Sequence, residues 1–156
     1  MIRAVFFDLY HTLARYDPPR EELQAKTLGD FGIKVRPEAF RHALVMADEF
    51  IYHEHARLPL SKRSNEEKMA LYAQYQAIVL KQAGIEANQG LIMALLSKMM
   101  RYDMKLVLFD DVVPALTHLK EQGLILGLIS NVERDIAPLC QELGLNALLQ
   151  VVVTSQ

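Results

Sequence analysis

The chain reads as an α/β protein: a parallel sheet interrupted, after its first strand, by a helical module. Three observations say so. The run "IRAVFFDL", residues 2–9, is short, apolar and rich in β-formers, as a buried strand is. Residues 16 to about 104 carry helical periodicity almost throughout. From residue 106 onward helix and strand alternate, which within one sheet implies parallel strands joined by right-handed crossovers. The predicted partition is a sheet domain of residues 1–15 and 105–156, with residues 16–104 inserted as a helical bundle.

The helical zone supports at least three helices. In "PEAFRHALVMADEFIYHEHARL" the apolar set Phe40, Ala43, Leu44, Ala47, Phe50 and Ile51 recurs at helical spacing. "SNEEKMALYAQYQAIVLKQAG" offers Ser64 or Asn65 as a cap, acids in the first turn and Gly84 as a stop. "NQGLIMALLSKMM" places Leu91, Leu95 and Met99 on one stripe. In the last zone "DDVVPALTHLKEQG" is a helix that stops at Gly123, and "LILGLIS" is a strand. "NVERDIAPLCQELG" is a helix ending at Gly144, with Pro138 in its first turn or at a kink. "ALLQVVVTS" contains the third strand.

Composition narrows the function. Of 156 residues, 51% are apolar and 23% charged, enough apolar material for a core of ordinary size. A net charge of −2 gives no footing for nucleic acid or an anionic membrane. One cysteine, Cys140, excludes an intrachain disulfide. No apolar run reaches the length of a membrane span, and an acid at position 8 breaks any leader-like stretch. The expectation is a soluble cytoplasmic protein.

The acid in "AVFFDLYHTL" carries the functional argument. In open parallel sheets ligands bind beyond the carboxyl ends of the strands. Asp8 ends the first strand and Ser130, in "GLISN", ends the second. A carboxylate there can act as a covalent nucleophile. Backbone N–H groups on the turn after Asp8, and at the start of a helix after Asn131, can receive an anion. Asp8 is the candidate nucleophile. Leu9, His11, Ser130 and Asn131 are the candidate substrate-binding residues, and the substrate class is a small anion. The competing readings are a turn-capping acid and a helix-capping serine.

Metal and other polar clusters are weak. His53 and His55 in "YHEH" point to different faces of a helix, and Glu49 with His53 makes only two ligands. Arg3, Arg15 and Arg20 lie near the first motif in sequence, and no motif says which of them meets a substrate carboxylate. Cys140 reads as core.

Taken together, "VFFDLYHTL", "LGLISN" and the helical insertion between them resemble the haloacid dehalogenase superfamily of hydrolases with a helical cap. The resemblance implies a three-layer, Rossmann-like core. It makes Asp8 the nucleophile and Thr12 a support of the loop, and has Ser130 bind a phosphoryl or carboxylate oxygen. Tyr10 stands where phosphatase members place an acid that protonates the leaving group. A tyrosine does this poorly at neutral pH. Dehalogenase members resemble this chain in having Asp-x-Tyr, because halide leaves without a proton. They usually follow the tyrosine with glycine, and here it is His11. The dehalogenase reading, on a 2-halo acid, needs no cofactor. The phosphatase reading needs Mg2+, held by the Asp8 carboxylate and the backbone carbonyl of Tyr10.

The resemblance further implies a lysine after the third strand and an acidic loop after the fourth. The sequence ends at "VVVTSQ", on the third strand, with neither. The sheet is thus expected to be truncated after that strand, with strand one an exposed edge available for homo-oligomer pairing. A third reading follows, in which these 156 residues form a catalytically inert fragment or a binding protein.

Overall fold

The computed structural model describes residues 2–132 and 135–155. The chain divides into two compact units, Met1–Asp17 with Lys105–Gln156, and Pro18–Met104.

The sheet unit holds a three-stranded parallel sheet of β1 (Ala4–Phe7), β4 (Ile125–Ser130) and β5 (Val151–Thr154), in the order β1-β4-β5. Phe7 pairs with Leu128, and Ser130 with Thr154. A second sheet, absent from the sequence reading, pairs β2 (Ala14–Asp17) antiparallel with β3 (Lys105–Leu108). That ladder carries the sheet unit on to Asp17 instead of stopping at residue 15.

Two helices complete this unit, α5 (Val112–Glu121) and α6 (Ala137–Glu142). Strand alternation sends Leu126 and Leu128 to one face, where they pack with Val112 and Leu116 of α5 and Cys140 of α6. Burial pushes the Cys140 thiol pKa upward, and the nearby Asp135 charge adds to the shift. The opposite face carries Phe6, Ile125 and Ile129, all about half exposed. Gly127 is the one small residue in that row, and Phe6 explains it. A Cβ there would lie 2.3 Å from the Phe6 ring.

α6 corrects an expectation. It begins at Ala137, six residues after Asn131, because Pro138 fits only the first turn of a helix. Asp135 accepts from the Ala137 N–H at 2.9 Å, the service assigned by sequence to the neighbourhood of Asn131.

The helical unit contains α1 (Arg20–Gly29), α2 (Ala39–Arg57), α3 (Asn65–Gln82) and α4 (Gln89–Met99). The α2 stripe of Phe40, Ala43, Leu44 and Ala47 is buried against Leu28, Val79, Leu80 and Leu95. Phe50 and Ile51 lie on the same stripe and are less deeply buried. Ser64 caps α3 in a reciprocal box: its Oγ accepts from Glu67 N–H at 3.2 Å, and its own N–H donates to Glu67 Oε2 at 2.7 Å. Asn88 caps α4 with a single bond, its Oδ1 accepting from the Leu91 N–H at 2.9 Å. The buried side-chain amides of Gln24 and Gln76 donate to each other at 3.0 and 2.8 Å, joining α1 to α3.

Candidate functional site

The site is built where β1 and β4, parallel neighbours, end together. Asp8 follows β1 directly and is exposed. Continuing the register one step past Phe7 and Leu128 sets Asp8 level with Ile129, one residue short of Ser130. Strand spacing and rise then put the two backbones roughly 6 Å apart, and the alternation that sets Ser130 with Leu126 and Leu128 sets Asp8 on the side of Phe6 and Ile129, so the two side chains would meet one ligand only around the strand ends. Ser130 is 2% exposed, on the face of Leu126 and Leu128, and its Oγ has no hydrogen-bond partner among the described residues. A buried hydroxyl costs free energy unless something pairs with it, so this one is suited to an incoming acceptor.

After Asp8 the chain makes a tight loop held by its backbone. Leu9 C=O accepts from the N–H groups of Leu13 at 3.0 Å and Ala14 at 2.9 Å, and His11 N–H donates to Ala14 C=O at 2.8 Å. One expectation changes here. The Leu9 side chain is fully buried in the core, so only its backbone faces a ligand question. Thr12 is exposed, and backbone hydrogen bonds close the loop around it.

His11 takes φ of 60°. This left-handed region is unstrained for glycine and costs other residues about 1–2 kcal/mol. That is the physical reason for glycine after the tyrosine in the motif this loop resembles. Tyr10, half-buried, stacks on Tyr16 of β2, with centroids 6.0 Å apart and planes at 29°. The His11 ring meets Tyr16 edge-on at 6.4 Å. Tyr16 was missed in the sequence because its relation to Tyr10 and His11 depends on β2 folding back beside the loop. Asn131 is exposed on the segment after β4, and among the described residues no helix starts there; positions 133 and 134 of the expected helix lie outside those residues.

Of the three arginines, Arg20 is committed within the helical unit. Its guanidinium donates to both Asp48 oxygens, at 2.8 and 2.7 Å, and Tyr75 Oη donates to the same carboxylate at 2.9 Å. Arg3 and Arg15 belong to the sheet unit and are exposed. Glu49 and His53 are an exposed pair at 3.9 Å. Among the described residues no three His, Cys, Asp or Glu side chains gather to hold a metal. In the phosphatase reading the Asp8 carboxylate and the Tyr10 carbonyl would supply two of the six oxygens of Mg2+, with waters and substrate as the rest.

A parallel sheet with a helical unit inserted after its first strand defines a Rossmann-like α/β fold with a helical insertion. The chain belongs to the haloacid dehalogenase-like hydrolase family, whose model matches residues 2–156. It is similar in fold to an L-2-haloacid dehalogenase: 20% identity, TM-score 0.56, covering 98% of this chain and 63% of that one. A dehalogenase solved with an intermediate complex is 16% identical, with TM-score 0.53 and coverage of 99% and 62%. The HAD hydrolase YfnB of Bacillus subtilis, bound to magnesium, is 16% identical, with TM-score 0.51 and coverage of 99% and 64%. The chain therefore spans less than two-thirds of these structures. No curated protein matches it. No helix among the described residues is long and apolar enough to cross a membrane.

Proposed function

We propose that this chain carries the nucleophile half of a hydrolase that works on a small anionic substrate through an aspartyl ester, with a 2-halo acid as the favoured class. Asp8 attacks the carbon bearing the halogen. The C–O bond forms as the carbon–halogen bond breaks, and the pair leaves as halide. Water then adds to the Asp8 carbonyl carbon, the acyl C–O bond breaks, and a 2-hydroxy acid departs with the carboxylate restored. The Ser130 hydroxyl and the backbone N–H groups after Asp8 hold the substrate's anionic oxygens.

The observation that carries the halide preference is Tyr10. Its ring is stacked on Tyr16 and half-buried, at the place where a proton-donating acid would serve an alkoxide leaving group. A halide leaving group needs no such donor.

The test uses the protein's full reading frame. Asp8→Asn abolishes turnover on 2-halo acids, because an amide is a far weaker nucleophile. In H2 18O a single turnover delivers product with unlabelled hydroxyl oxygen, and the label enters the Asp8 carboxylate. Tyr10→Asp raises phosphomonoester hydrolysis relative to dehalogenation, a general acid being worth roughly 10²–10⁴-fold. Wild-type turnover by Asp8→Asn would end the mechanism for any substrate.

A further inference from the structure

We propose that the helical unit carries a second binding site, for a small aromatic carboxylate, where the chain leaves α1 beside the last turns of α4. The site goes beyond the hydrolase reading and does not depend on it. Its lining residues all belong to the helical unit, and none to the loop after Asp8.

An open cavity of about 520 Å³ lies there, lined by Phe31, Ala94, Ser97, Lys98, Arg101 and Tyr102. Small-molecule sites typically occupy roughly 300–1,000 Å³. Positions 94, 97, 98 and 101 are spaced by three and four, so they share one side of α4, while Leu95 and Leu96 turn to the interior. The Arg101 N–H donates to the Lys98 C=O at 3.1 Å, and the Tyr102 N–H to the Met99 C=O at 3.0 Å. These tight turns carry the stripe on past the end of the helix.

The walls are aromatic. Lys98 Nζ stands over the Phe31 ring at 5.7 Å and Lys26 Nζ over the Tyr102 ring at 5.2 Å, contacts that steady both rings. Among the described residues neither ring packs on another aromatic ring, and Phe31 is 41% exposed. A ligand ring can therefore lie against both. The described lining carries two cations and no acid. Lys98 is paired with Asp30 at 2.5 Å, whereas the Arg101 guanidinium meets no carboxylate among the described residues. Asp30 and the two helix ends, at about half a negative charge each, oppose an anion. Lys26, Lys98 and Arg101 together outweigh them. The Arg101 fork, with the Ser97 hydroxyl one turn before it, offers donors to both oxygens of a carboxylate.

The experiment titrates the protein, made from its full reading frame and ring-13C-labelled at Phe and Tyr, with benzoate, and follows the Phe31 and Tyr102 signals by NMR. Both shift saturably, at a roughly millimolar Kd for so small a ligand. Cyclohexanecarboxylate, with the same charge and no flat ring, binds about fivefold more weakly. Benzamide, with the ring and no charge, binds about tenfold more weakly. Arg101→Gln loses about tenfold for benzoate and nothing for benzamide, a split that a merely structural role for Arg101 does not produce. Arg101 is exposed, and Arg101→Lys, which keeps the charge without the fork, serves with a smaller loss if the glutamine variant does not fold. Ser130→Ala leaves the Phe31 and Tyr102 shifts in place, which separates this site from the strand ends. Phe31 and Tyr102 signals that ignore benzoate overturn the proposal. So does wild-type benzoate affinity in the folded Arg101 variant, or equal affinity for benzoate and cyclohexanecarboxylate.

Discussion

In the helical unit Phe40 is fully buried, and Leu28, Ala43, Ala47, Val79, Leu80 and Leu95 close around it from all four helices. In the sheet unit Leu126 and Leu128 are equally buried on one face of β4, yet Phe6 on the other face of the same sheet is 46% exposed. Polar groups divide the same way. Gln24 and Gln76 satisfy each other inside the helical unit, whereas Ser130 in the sheet unit has no partner among the described residues. The difference teaches where this chain is finished as a fold and where it is prepared for something else. A helix buries one stripe, so four helices can close a core among themselves. A parallel sheet has two faces to bury, and two helices cover only one.

The largest expected effect concerns the state of the chain itself. The exposed face of Phe6, Ile125 and Ile129, with the edge of β1 that no strand pairs among the described residues, is expected to drive the 156-residue polypeptide to associate with its own copies. Light scattering shows species above monomer mass, and Ile125→Lys, which puts a charge on that face, shifts them toward monomer. A stable wild-type monomer would remove the contrast between the two units.

Next comes a matched pair of phenylalanines. Phe40→Ala destabilises the helical unit by about 3–5 kcal/mol, and Phe6→Ala costs under about 1 kcal/mol. Denaturant midpoints of the two variants, both made in the monomeric Ile125→Lys background, measure this, and similar losses would mean that the sheet face is covered within the monomer. The buried amide pair ranks third. Gln24→Ala leaves the Gln76 amide unpaired at a cost of about 1–3 kcal/mol, while Gln24→Leu with Gln76→Leu costs less than the single change.

His11→Gly sharpens the contrast from the other side. It relieves the left-handed strain in the sheet unit and stabilises the chain by about 1 kcal/mol. An unchanged or lowered melting point would mean that the loop tolerates histidine without strain. The smallest effect is in the α3 cap. Hydrogen bonding from Ser64 holds the Glu67 pKa below the ordinary carboxylate range. A group with a depressed folded-state pKa contributes above its unfolded pKa and loses that contribution as pH falls through the folded value. The first turn of α3 therefore loosens in acid, seen as faster exchange of the Ser64 amide, and Glu67→Gln removes that pH dependence.

Much of the fold was legible because it rests on local rules. The α2 stripe, the Ser64 cap and the stops at Gly84 and Gly123 follow from periodicity and backbone preference, which act over a few residues. The ends of β1 and β4 were legible for the same reason, an apolar run broken by a polar residue. The β2–β3 pair was not legible. It joins residues 14–17 to residues 105–108, and neither four-residue segment carries a strand pattern long enough to read alone.

For the site, the sequence alone determined which residues stand at the strand ends, Asp8 and Ser130, and that a tyrosine, Tyr10, follows two places after Asp8. Identity and order along the chain are sufficient for that. Only the tertiary structure decided what those residues experience. It buried Leu9 in the core, closed the loop through backbone bonds, and left the Ser130 hydroxyl buried with no partner among the described residues. It also brought Tyr16 against Tyr10 and His11. Burial and pairing are set by what distant segments bring alongside, and a strand ladder closed across some ninety residues leaves no trace in the four residues at either end.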